Sequence, residues 1–270
     1  MSSAPIAIGS IAAYLSSATV VGWRMFHREL YPVNALRRTA LGLGFLGLLL
    51  HTWLLYHAIF HHAGLDFAFF NALSLASWTV VASLLISSLN KPIENLGLVI
   101  MPLAALTVGL DLLYPTVGFM SEQASWILKL HVLLSMLAYS MLTLAAVQAV
   151  LLAVQDRALR RRKPNSFIRS LPPLMTMEAL MFEMISVGFG LLTLALISGF
   201  AFLQNMFAQH LVHKTVLSVM AWLVFGGLLL GRRVWGWRGQ KAIRWTLSGF
   251  GLLILAYFGS KFVLELILHR

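Results

Sequence analysis

The sequence predicts an all-α, polytopic integral membrane protein, and three observations carry that reading. Of 270 residues, 59% are hydrophobic and only 11% are charged, too little polar surface to cover a fold in water. The apolar residues come in continuous runs of about 20, the length that crosses ~30 Å of hydrocarbon at about 1.5 Å per residue. Those runs do not alternate between apolar and polar positions as the strands of a membrane barrel do. The whole chain, 1–270, reads as a single membrane domain of eight transmembrane helices with both termini on the outer, periplasmic side.

The first run, Pro5 to Trp23, has no basic residue before it, and Arg24 lies on its far side. A secretory signal has the opposite polarity, so the run is expected to be a retained helix with its N-terminus outside. The basic stretch Arg24 to Arg38 is then a cytoplasmic loop. A second helix is expected from Thr39 to Phe60, ending in a histidine group, and the segment AGLDFAFF forms an outer loop before a third helix, Asn71 to Leu89. The turn NKPIEN leads into a fourth, Leu96 to Tyr114. The outer segment PTVGFMSEQAS precedes a fifth, which opens at Ser125 and holds His131 near its start.

A long polar stretch, Gln155 to Pro173, follows, and Pro164, Pro172 and Pro173 break any helix that would continue through it. The last three helices are expected at Thr176 to Leu203, Thr215 to Gly231 and Trp245 to Leu268. Gly42, Gly44 and Gly47 fall within the second helix at the small-residue spacing of a close helix contact. Trp235 and Trp237 read as an interfacial anchor.

With this topology, 16 of the 20 basic residues fall in loops assigned to the cytoplasm. The net charge of +11 is therefore a topology signal with an added attraction to anionic lipid, and nucleic acid is not needed to explain it. The chain has no cysteine, which excludes a C-x-x-C redox pair, a thiolate metal site and a thioether link to haem.

Eight of the nine histidines lie in the outer half or outer loops, and only His27 is cytoplasmic. His61, His62, His210, His213 and His269 sit at helix ends, where an imidazole is readily hydrated, and His57 lies less than a turn from the rim. His51 and His131 differ. His51 falls near the midplane and His131 a turn or so below the rim, depths at which a histidine usually faces a partner or a cavity. Three chemistries suit them. Neutral imidazole is an axial ligand for haem iron, and two on different helices make a bis-histidine site. Zinc needs three or four clustered ligands. His57 with His61 and His210 with His213 have helical spacing, but no carboxylate or cysteine completes either group. Proton transfer would pair a histidine with Asp111, Glu183 or Glu265. Glu178 and Glu183 open the sixth helix, where a carboxylate suits the positive end of the macrodipole. Lys261 and Glu265 stand four apart and are expected to pair.

Three segments resemble the cytochrome c assembly family of integral membrane proteins, the haem-handling CcsA and CcmC type. LHVLLSMLAYSMLTLAAVQAVLLAVQDRALR is similar to the family helix that opens with an outer histidine. LPPLMTMEALMFEMISVGFGLLTLALISG resembles the next family helix, with its leucine-proline entry and a carboxylate. HKTVLSVMAWLVFGGLLLGRRVWGWRGQKAIRWTLSGFGLLILAYFGSKFVLELIL is similar to the last two, including the GWRG turn. Together they cover about residues 125–268, and the nearest subgroup resembles the YpjD-type inner membrane proteins. The N-terminal half resembles the family through its second-helix histidine and the N-x-x-S-x-x-x-W run from Asn71 to Trp78.

The chain departs from the haem-exporting members at three points. Their tryptophan-rich WGxxWxWDPKE loop is replaced by NMFAQHLVHKT, of which only Lys214 matches. A family histidine further along the seventh helix is replaced by Leu230 or Gly231, and His269 is out of step by about a residue with the second outer one.

The resemblance implies a bacterial inner-membrane, multi-pass protein that receives, holds or relays haem b non-covalently. His51 and His131 are the implied ligands of haem iron, with His57, His213 and His269 as secondary candidates. Implied partners are membrane lipid, haem and another inner-membrane protein. No nucleophile–base pair, phosphate-binding glycine loop or outer carboxylate pair is evident, so no catalytic residue is expected and the chain does not read as an enzyme. The alternative is a haem-free membrane subunit of the same fold that partners another membrane protein or moves a small solute.

Overall fold

The computed structural model describes residues 4–26, 33–60, 65–66, 69–114, 119–120, 126–162, 166–202 and 212–259. Helices dominate them: α1 (Ala4–Phe26), α2 (Val33–Phe60), α3 (Phe69–Asn90), α4 (Gly97–Leu113), α5 (Trp126–Arg160), α6 (Ser166–Ser170), α7 (Leu174–Phe202), α8 (Val212–Trp235) and α9 (Gly239–Ile254). A 3₁₀ turn, Glu94–Leu96, leads into α4, and α9 runs on as a π-helical turn, Leu255–Gly259. Two-residue strands β1 (Leu65–Asp66) and β2 (Phe119–Met120) pair antiparallel, Leu65 opposite Met120 and Asp66 opposite Phe119.

Among the described residues, seven helices are long and apolar enough to cross a membrane. The last expected span, Trp245 to Leu268, is described only to Gly259, and the remainder lies outside the described residues. Large side chains that face outward fit hydrocarbon as the solvent. Leu49, Ile86 and Ile197 are each more than 60% exposed, and water would not tolerate so much apolar surface. Hydroxyls on these helices close onto the preceding turn, as Thr52 does on the Leu48 carbonyl, Ser140 on Met136 and Thr193 on Phe189. Each is thereby satisfied without water.

Several boundaries differ from the expected ones. α2 starts at Val33, inside the stretch read as a loop, and α5 continues to Arg160, past Gln155. A helix satisfies its own backbone, so it can run beyond hydrocarbon until a proline or glycine stops it. α6 lies wholly within the polar stretch, between Pro164 and Pro172. α9 begins at Gly239, before the expected Trp245, because the Gly236–Gly239 turn is where the chain reverses. Both of these glycines have positive φ, 64° and 56°, the region that glycine enters without strain.

The described chain falls into two compact units. The first comprises Met1–Gln123 with Ala158–Leu171, and the second Ala124–Arg157 with Pro172–Arg270. In the first, α1 packs against α2 and α4, and α3 against α2 and α4. Ser10, Tyr14 and Ser17 form one face of α1 and all three reach α2. Ser10 donates to the Gly47 carbonyl at 3.0 Å and Ser17 to the Ala40 carbonyl at 2.8 Å, while Tyr14 meets His51. Gly44 and Gly47 sit in this contact as expected. Gly42 does not: it is exposed, and a Cβ there would meet nothing within 4 Å. At one end of this unit Glu94 accepts from Arg24 at 2.9 Å and lies 3.6 Å from Arg37, which also donates to the Ser88 carbonyl.

In the second unit, Gln148 and Gln155 of α5 donate to the Met177 and Pro172 carbonyls at the start of α7. Nearby, Gln240 of α9 donates to Asp156 at 2.7 Å. Glu178 stands near the start of α7, as expected, but its carboxylate bonds to another helix. It accepts from Arg238 Nε at 2.8 Å and from the Gly239 backbone N–H at 3.1 Å, and so caps α9, whose own N-cap residue makes no side-chain cap. Glu178→Ala is expected to lower stability by about 1–2 kcal/mol. Loss of a cap accounts for about 1 kcal/mol, and the ion pair adds little because the Arg238 side chain is 54% exposed. Thermal unfolding in detergent measures this, with Glu178→Gln expected to fall between the two.

Candidate functional site

His51 sits in the interior of the first unit with no exposed surface. Its Nδ1 lies 3.2 Å from the Tyr14 hydroxyl and its Nε2 2.9 Å from the Ser74 hydroxyl. One ring nitrogen donates and the other accepts, and hydroxyls serve either role, so both are satisfied by the protein. Tyr14 reaches this position because Gly47 has no Cβ: one built there would stand 2.6 Å from the Tyr14 ring. The Asn71–Trp78 run supplies the other side. Ser74 bonds His51, and Trp78 Nε1 donates to Thr52 at 2.8 Å.

His131 has different surroundings. It is half-buried near the start of α5 in the second unit, at the end opposite the Glu178 cap. Its Nδ1 lies 2.9 Å from the Ala195 carbonyl and 3.1 Å from the Ser198 hydroxyl. Ser198 Oγ itself donates to that carbonyl at 2.9 Å. A carbonyl only accepts, so the proton belongs on Nδ1, and the neutral ring carries its lone pair on Nε2. Among the described residues Nε2 has no hydrogen-bond partner. The ring lies along Gly199, where a Cβ would stand 3.0 Å from its Cε1.

Beside the ring lies a cavity of about 170 Å³, lined by His131, Leu196, Gly199, Phe200, Lys214, Thr215 and Ser218. Its walls are mainly apolar, with a cation and two hydroxyls from the first turns of α8. The segment 203–211 that joins α7 to α8, the counterpart of the tryptophan-rich loop, lies outside the described residues.

The other candidates are less complete. His57 is half-buried, its ring centroid 4.0 Å from that of Trp53. His213 lies in the first turn of α8 beside the cavity-lining Lys214, but its side chain is outside the described residues, as are His27, His61, His62, His210, Lys261, Glu265 and His269. Among the described residues no three His, Cys, Asp or Glu side chains form a group able to hold a metal ion. Asp111 is half-buried and Glu183 exposed.

A family model described as "Cytochrome C assembly protein" matches residues 41–268. The chain belongs to the cytochrome c assembly protein family. It is 34% identical over 201 residues to the Escherichia coli K12 protein named "Inner membrane protein YpjD", covering 72% of this chain and 76% of that protein. It is 33% identical over 214 residues to an uncharacterised 28.8 kDa Azospirillum brasilense protein, 73% and 76% of the two chains. Similarity to the Chlamydomonas reinhardtii "Cytochrome c biogenesis protein CcsA" is lower, 25% over 147 residues, 53% of this chain and 40% of that one. No solved structure matches. This member of the family is thus a multi-pass inner-membrane protein.

Haem is the group implied by the family resemblance, and the two histidines differ in their fit to it. His131 offers an oriented ring that lines a cavity, a carbonyl holding Nδ1, and a lone pair left on Nε2. His51, as packed, does not fit, since ligation would require breaking a bond to Tyr14 or Ser74 inside a filled core. Sequence reasoning missed Tyr14, Ala195, Ser198 and Gly199, and found Ser74 only as part of a motif, without its bond to His51. The Ser10–Tyr14–Ser17 spacing, one polar face on an apolar helix, was the available signal for the first of these.

Proposed function

We propose that this protein binds haem non-covalently in the second unit, with His131 as an axial ligand, and receives, holds or relays it in cytochrome c assembly. The observation that carries this reading is the bond from His131 Nδ1–H to the Ala195 carbonyl, which leaves Nε2 as the donor atom of a ring that lines the cavity. Bound there, haem b would be held by His131 and would supply a redox-active iron centre. The protein's own residues do the rest. Ala195 and Ser198 fix the tautomer, Gly199 leaves space for the ring, and Leu196 and Phe200 give an apolar wall. Lys214 places a positive charge at the cavity edge, suited to a carboxylate on the ligand. His51 is assigned to packing of the first unit, and no residue is assigned to catalysis.

The second reading, a haem-free subunit that partners another inner-membrane protein or moves a small solute, is favoured by one specific observation. The segment NMFAQHLVHKT has no tryptophan and no aspartate. An absorbance spectrum separates the two. Protein purified from cells with ample haem supply is expected to show a Soret band, with split visible bands on reduction. A colourless preparation from such cells, with one stoichiometric membrane partner, supports the second reading and contradicts the first.

A further inference from the structure

We propose that the Arg232–Arg238 end of the second unit holds the phosphate of an acidic membrane lipid, a site separate from the His131 cavity. From Arg232 to Arg244 the chain carries Arg232, Arg233, Arg238, Lys241 and Arg244 and no acidic residue. A preference for basic loops accounts for their presence, but not for how Arg232 is held. Its guanidinium lies over the Phe182 ring, 3.7 Å from the centroid, and close enough to Glu178 and Arg238 to feel both charges. Glu178 is already committed at both oxygens, to Arg238 Nε and to the Gly239 N–H. Arg238 holds that carboxylate, and Arg232 Nη1 is buried with no acceptor among the described residues. A guanidinium left short of acceptors is costly, and a phosphate oxygen that meets the partly exposed Arg232 side chain supplies one and balances the surplus charge.

The surroundings select a lipid over a soluble phosphate. Leu230, Val234 and Trp235 are 55%, 59% and 64% exposed on the last turns of α8, an apolar strip that an acyl chain would cover. Trp235 stacks on Trp237 with centroids 5.7 Å apart, and Lys241 Nζ lies 3.7 Å from the centroid of the Trp237 ring. The tryptophan pair read from sequence as an anchor is thus one wall of a cationic niche at headgroup depth.

Native mass spectrometry of the full chain in detergent, supplied with phosphatidylglycerol or phosphatidylcholine, tests this. The wild type is expected to retain phosphatidylglycerol preferentially. Arg232→Gln should reduce that retention about tenfold, the effect of one charge-assisted bond, and Arg169→Gln in the first unit should leave it unchanged. If Arg232→Gln does not fold, Lys241→Gln, an exposed position, decides the question, with a smaller loss expected. Equal retention of the two lipids, or unchanged retention in the folded variant, overturns the proposal. Displacement by millimolar glycerol phosphate overturns the lipid assignment in favour of a soluble phosphate.

Discussion

Gly47→Val is expected to destabilise the protein by about 3 kcal/mol or more, the upper range for overpacking a filled core. The Cβ alone would stand 2.6 and 2.7 Å from two carbons of the Tyr14 ring, and a rigid aromatic ring cannot yield as a flexible chain end can. Tyr14 is fully buried, and its hydroxyl bonds His51, so displacing the ring also breaks the Tyr14–His51–Ser74 network. Broken, that network leaves polar atoms in a core without water. Gly42→Ala, five residues away on the same helix, is the matched control. With nothing within 4 Å of its Cβ, it should be neutral or gain up to about 1 kcal/mol from helix propensity. Thermal unfolding of both variants in one detergent gives the comparison, and equal midpoints would contradict this account of the α1–α2 contact.

The second large effect is on haem. His131→Ala removes the proposed donor atom and should weaken haem binding by more than about 100-fold, beyond the roughly 10–100-fold typical of disturbing a ligand's supporting shell. Gly199→Val keeps the imidazole but intrudes on the ring where even a Cβ lies 3.0 Å away. It should fall within that supporting-shell range. His51→Ala carries a different signature: lower thermal stability, with haem affinity per folded molecule preserved.

Hydropathy located the described spans, because a continuous apolar run marks where the chain lies in hydrocarbon, though not how far its helix runs on beyond it. The separation of ends was also legible: within the second unit, Arg232 and Arg238 gather with Glu178 at one end, and His131 lies at the other. What escaped was pairing between distant residues. His51 looked like a ligand because a buried imidazole needs partners, and the sequence could not name Tyr14, 37 residues away, or Ser74, 23 away. Ser74 was already visible in the Asn71–Trp78 run, but nothing local says that this run faces α2. Glu178 was read from its place at a helix start, a local argument. Its partners lie 60 and 61 residues away, across a turn whose geometry depends on Gly236 and Gly239. His131 itself was found by its depth, while the Ala195 carbonyl that fixes its tautomer is a backbone atom, invisible to any reading of side chains.

The most direct test of the central claim is haem titration into wild type and His131→Ala in identical nanodiscs, followed at the Soret band. The wild type should develop a saturating band at concentrations where the variant shows none. Superimposable curves from two folded proteins would contradict the assignment of His131 as the ligand.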